Sequence, residues 1–185
     1  MTSVLQRKNK MAEQFFLFLF FFILGIAGTV FAWKLHWYEE LLSVDDLAAT
    51  MEMQWNYRTL LVQCLLKRGG TILFYVLISH TILGIPIFRV MTAWYSLSIG
   101  ILMEALALQY GVWGIGVFTA GILPHYLFYI PAYLLVYRGC LRTRIEGGKG
   151  VLLFLTAFGV VIIGSITESY VNPFLLKNFL KLFIT

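Results

Sequence analysis

Apolar residues in this chain fall into five long runs separated by short polar stretches. The runs are Phe15 to Trp33, Thr71 to about Pro86, Val90 to about Tyr110, Val112 to Tyr137 and Val151 to Tyr170. About 20 apolar residues in a helix cross the roughly 30 Å hydrocarbon core of a bilayer, so each run predicts a transmembrane helix. Only Pro86, Ile87, Phe88 and Arg89 join the second and third runs, which predicts a tight hairpin. Val30 and Ala32 offer a cleavage site, but the first run exceeds the usual ~7–15-residue signal core. It is read as a retained anchor.

Two further segments are amphipathic. From Ser43 to Arg68, the residues Val44, Leu47, Ala48, Met51, Trp55, Val62, Leu65 and Leu66 recur near the helical period. Ser43 with Asp46 forms a capping box, Lys67 and Arg68 complement the negative helix end, and Gly69–Gly70 supply a stop. This predicts an amphipathic helix over 44–68, lying on the outer leaflet or docking an extracytoplasmic partner through exposed positions such as Trp55 and Arg58. In the tail, Asn172 suits a cap and Pro173 a first helical position, predicting a short interfacial helix over 173–184.

Composition supports the pattern. The 185 residues are 60% hydrophobic and 12% charged, where soluble domains run to about 45–50% and 25%. A soluble enzyme, a disordered chain and a disulfide scaffold are all excluded. The expected fold is an all-α membrane protein with five transmembrane helices, an amphipathic extracytoplasmic helix and a short amphipathic C-terminal helix. It forms a single polytopic membrane domain over 1–185.

The net charge of +5 reflects basic clusters between spans rather than a nucleic-acid surface. Arg7, Lys8 and Lys10 precede the first span, and Arg138, Arg142, Arg144 and Lys149 surround the loop after the fourth. An even number of spans separates the clusters, so both can be cytoplasmic, with the C-terminus outside. Lys67 and Arg68 are the weak point of that assignment, because they fall on the outer side.

Ionisable groups inside a bilayer cost about 2.5–3.5 kcal/mol each on insertion scales and need partners. Glu104 ends a series at four-residue spacing, Ser96, Gly100 and Glu104. His125 follows the row Gly116, Ala120, Pro124, and Glu168 follows Gly164 and Ser165. One expectation is a polar cluster of Glu104, Glu168, His125 and His80. The other is that each group finds a local partner and only fixes helix orientation. Pro124 and Pro131 each remove a backbone donor, predicting a kinked or broken fourth span. No HExxH, GxSxG or Walker motif is present, and Cys64 and Cys140 have no metal-binding spacing. No catalytic residue, metal or cofactor is expected.

The segments Ala120-Gly-Ile-Leu-Pro-His-Tyr-Leu-Phe-Tyr-Ile-Pro-Ala132 and Ile166-Thr-Glu-Ser-Tyr-Val-Asn-Pro173, with Ile85-Pro86, resemble the stage II sporulation protein M family of integral membrane proteins. The resemblance covers roughly 70–173 and points to Pro124, His125, Pro131 and Glu168. Many relatives read Pro-His-Gly-x-x-Glu, where this chain has Tyr126 and Tyr129. The resemblance implies a non-enzymatic scaffold in the mother-cell membrane during forespore engulfment. Its implied partners are membrane-anchored wall hydrolases like stage II sporulation proteins D and P. The alternative reading from the residues is a transporter or channel subunit with a polar site at the fourth span.

Overall fold

A computed structural model describes residues 2–35, 56–141 and 147–184. The expected helix over 44–55, with the docking position Trp55, and most of the basic loop after the fourth span lie outside the described residues. Among the described residues, six α-helices follow one another. They are α1 (Thr2–Lys34), α2 (Tyr57–Ser79), α3 (Gly84–Tyr110), α4 (Val112–Cys140), α5 (Gly147–Ile166) and, after a π-helical turn at Thr167–Val171, α6 (Asn172–Ile184). Among the described residues, five stretches are long and apolar enough to cross a membrane: 9–34, 57–79, 84–110, 112–140 and 151–181. The protein is an all-α membrane protein with five such spans.

Four features differ from expectation. The turn between the second and third spans falls at residues 80–83, and Pro86, Ile87, Phe88 and Arg89, expected to form it, lie inside α3. The helix expected to stop at Gly69–Gly70 runs straight through them. It starts at Asn56, whose side chain accepts from the Thr59 amide at 3.3 Å, and ends at His80. Flanking apolar residues outweigh the roughly 1 kcal/mol helix penalty of each glycine. The second span is therefore Tyr57–Ser79, and Arg68 lies eleven residues from either end.

The tail forms the expected helix, Asn172–Ile184, but it is not set apart from the fifth span. It continues from the fifth span through the π turn, in which the Asn172 amide bonds the Thr167 carbonyl five residues back. Pro173 has no N–H and its ring crowds the carbonyl four residues earlier, and the wider turn relieves this without breaking the helix. Lastly, α4 is continuous across Pro124 and Pro131, so the fourth span is not broken.

The residues group into two compact units. The first contains α1 and residues 86–115. Here α1 and α3 run parallel. Arg89 pairs with Glu13 at 2.6 Å, and Gln14, buried, donates to the Phe88 carbonyl at 3.2 Å and to the Thr92 hydroxyl. Further along, a Cβ on Gly25 would stand 2.5 Å from the Leu97 carbonyl oxygen, and one on Gly100 would strike the Phe22 carbonyl. The two backbones touch, as small residues in membrane helices allow. Gly111, at φ 61°, makes the one-residue turn into α4, a conformation that favours glycine.

The second unit contains residues 56–85 and 116–184. In it α5 and α6 run antiparallel to both α2 and α4. Tyr57 stacks on Tyr170, Gly69 lies against Phe158, and Tyr75 meets the Tyr133 ring edge-on. Gly116 leaves room for the Phe179 ring, and Leu180 is fully buried. Thus α6 packs as the second half of the fifth span.

Candidate functional site

The centre of the second unit holds a polar cluster. Arg68 from α2 meets Glu168 from the π turn with two parallel bonds, Nε to Oε2 at 3.2 Å and Nη2 to Oε1 at 2.8 Å. This is the fork geometry in which guanidinium and carboxylate bind most specifically. The Tyr129 hydroxyl of α4 donates to Glu168 Oε2 at 2.6 Å and lies 3.3 Å from the Ser165 hydroxyl. The Arg68 guanidinium also sits over the Tyr129 ring, 5.0 Å from its centroid. Glu168 is therefore clamped from two helices.

One turn earlier in α4, His125 is buried with its ring 5.5 Å from that of Tyr129. Its Nδ1 meets the side-chain amide of Asn172, which also donates to the Gly121 carbonyl at 2.6 Å. Asn172, expected as a helix cap, instead turns inward. Its Oδ1 is buried without a hydrogen-bond partner among the described residues.

The backbone explains how these groups meet. Gly164 stands against the Tyr129 ring, where a Cβ would come within 2.6 Å of a ring carbon. Ser165 in α5 and Ser169 in the π turn are fully buried, so this stretch presents a small polar face that admits the tyrosine. The π turn then carries Glu168 and Asn172 towards the same partner helix, α4. Arg68 is central in α2, His125 and Tyr129 are near the middle of α4, and Glu168 is near the middle of the 151–181 stretch. The cluster thus lies close to mid-span on all three helices, rather than near a helix end as the sequence suggested for Glu168.

Of the expected cluster, Glu168 and His125 come together. His80 does not join them. It ends α2, exposed, with Nδ1 on the Val76 carbonyl of its own helix at 2.8 Å. It lies twelve residues, about 18 Å, along α2 from Arg68. Glu104 belongs to the first unit and makes no hydrogen bond or ion pair to a described residue. Pro124 lies beside His125 within α4, and Pro131 follows Tyr129 by two residues. Arg58 is exposed in the first turn of α2.

Residues 17–173 match the family model of stage II sporulation protein M. The chain belongs to this family. Neither the curated proteins nor the solved structures gave a match. Every member of the polar cluster, from Arg68 to Asn172, lies within the stretch matched to the stage II sporulation protein M family, whereas Phe179 and Leu180 lie beyond it. The family is one of membrane proteins associated with sporulation and is not known as an enzyme family.

Arg68, Tyr129, Ser165 and Asn172 were missed as a set by sequence reasoning. A signal for Arg68 was present: reading through the glycines puts an arginine at the middle of a 23-residue apolar helix, where it needs an acidic partner. Nothing in one sequence identifies that partner as Glu168, 100 residues away.

Proposed function

We propose that this protein is a non-enzymatic membrane scaffold that organises peptidoglycan-degrading partners during forespore engulfment. The family match over 17–173 carries the reading. The chemistry of the polar cluster supports it, because the carboxylate, guanidinium and phenol are spent on one another. Such a cluster fixes three helices in register and gives partners a rigid frame. The continuity of α4 also argues against the discontinuous helices on which transport sites are commonly built.

In this reading the N-terminus is cytoplasmic, the C-terminus extracytoplasmic, and the segment leading into α2 faces the partners. The partners are membrane-anchored wall hydrolases resembling stage II sporulation proteins D and P, and Arg58, with Trp55 before it, contributes to their docking. The test is affinity capture of the tagged protein from detergent-solubilised sporulating cells, with mass spectrometry of the co-purifying chains. Recovery of wall hydrolases, lost in Trp55→Ala and Arg58→Glu, is the expected result. Recovery of transport subunits instead, or cysteines beside Pro124 that react with aqueous reagents, would overturn the scaffold reading.

A further inference from the structure

Glu104 lies six residues from the end of α3, so about 9 Å along the axis from Tyr110. The 27 residues of α3 make a helix of about 40 Å, some 5 Å longer at each end than a roughly 30 Å hydrocarbon core. The Glu104 backbone is then a few ångströms inside the hydrocarbon boundary. Its side chain is half-buried and makes no hydrogen bond or ion pair to any described residue. A carboxylate at that depth needs a cation or a donor.

Immediately deeper lies an apolar groove of about 310 Å³ lined by Leu24, Gly25, Gly28, Thr29, Leu97 and Ile101. Because α1 and α3 run parallel, Glu104 stands one turn beyond Ile101, on the same side of α3. Gly28 opens the groove further, since a Cβ there would meet nothing within 4 Å. An acid near the interface above an apolar trough nearer the midplane is the order in which a phospholipid presents an ammonium headgroup and an acyl chain.

We propose that Glu104 and this groove hold a phospholipid bearing a primary ammonium, of the phosphatidylethanolamine kind, in the leaflet where α3 ends. The ammonium donates to the Glu104 carboxylate, and one acyl chain lies against Gly25, Gly28 and Ile101. A choline headgroup carries the same charge but no N–H to donate, and a glycerol headgroup lacks the cation.

The experiment is native mass spectrometry of the full chain released from vesicles with equal parts phosphatidylethanolamine, phosphatidylcholine and phosphatidylglycerol. The expected result is preferential retention of phosphatidylethanolamine by the wild type. Glu104→Gln keeps an amide acceptor but removes the charge, and should reduce that preference about ten-fold, the size expected when a charge-assisted hydrogen bond becomes a weaker neutral-acceptor one. Gly28→Leu should fill the groove and lower retention of every lipid while the protein stays monodisperse. Equal retention of the three lipids by the wild type, which needs no variant to fold, would overturn the proposal. So would an unchanged preference in Glu104→Gln, or a cysteine at 104 that cross-links to a second copy while no lipid is retained.

Discussion

Tyr129 shows how one side chain ties three helices. Its hydroxyl completes Glu168, and its ring covers the Arg68 guanidinium. Tyr129→Phe keeps the ring and removes one bond, so the loss should be small, about 0.5–1.5 kcal/mol by thermal unfolding in detergent. Glu168→Gln should cost more, because it leaves Arg68 without a counter-charge. Breaking a buried ion pair costs about 3–5 kcal/mol, and with side chains 28% and 20% exposed the loss should lie towards or below the lower end of that range. The double variant Arg68→Leu/Glu168→Leu should be less destabilised than the sum of its singles. Strict additivity in that cycle would mean that the pair does not couple α2 to the π turn.

At the scale of elements, the continuity of α2 depends on Gly69 and Gly70 being ordinary helical residues. Positive φ among the described glycines is confined to Gly111. A Cβ on Gly70 would meet nothing within 4 Å. Gly70→Ala should therefore stabilise the protein by about 0.5–1 kcal/mol through reduced chain entropy. Destabilisation on heating would indicate that the helix stops there after all. The α1–α3 crossing predicts the opposite for Gly100. A side chain there must push the Phe22 backbone away, so Gly100→Leu should abolish a monodisperse peak in size-exclusion chromatography. Gly28→Leu on the same crossing should retain the peak. Both glycines look alike in sequence, and only the partner backbone separates the intolerant position from the tolerant one.

For the whole molecule, helix directions give a test of topology. The ion pair Glu13–Arg89 places the beginning of the 9–34 span beside the first turns of α3. In the second unit α2 and α4 share one direction and α5 opposes both. Five alternating crossings with a cytoplasmic N-terminus satisfy these directions and the basic clusters together. In right-side-out vesicles, Arg58→Cys should label with a membrane-impermeant thiol reagent and Arg144→Cys should not, measured in a background with Cys64 and Cys140 replaced. Labelling of Arg144→Cys instead would reverse the orientation. The apparent conflict of Arg68 with the positive-inside pattern is removed, since Arg68 is a paired charge at mid-span rather than a loop cation.

The number of spans, the helical class and the family could be read from the sequence because each depends on local information. Run length against bilayer thickness, the scarcity of charge and the order of Pro124, His125, Pro131 and Glu168 all lie along the chain. Helix ends were less legible. Gly69–Gly70 and Asn172–Pro173 carry the local chemistry of a stop and a start, but packing against Phe158 and α4 carried both helices through. The pairing of Arg68 with Glu168 and the inward turn of Asn172 were decided by tertiary structure alone. A buried charge states in sequence that it needs a partner. Which group answers depends on how distant helices pack, and that information is spread over contacts no single segment contains.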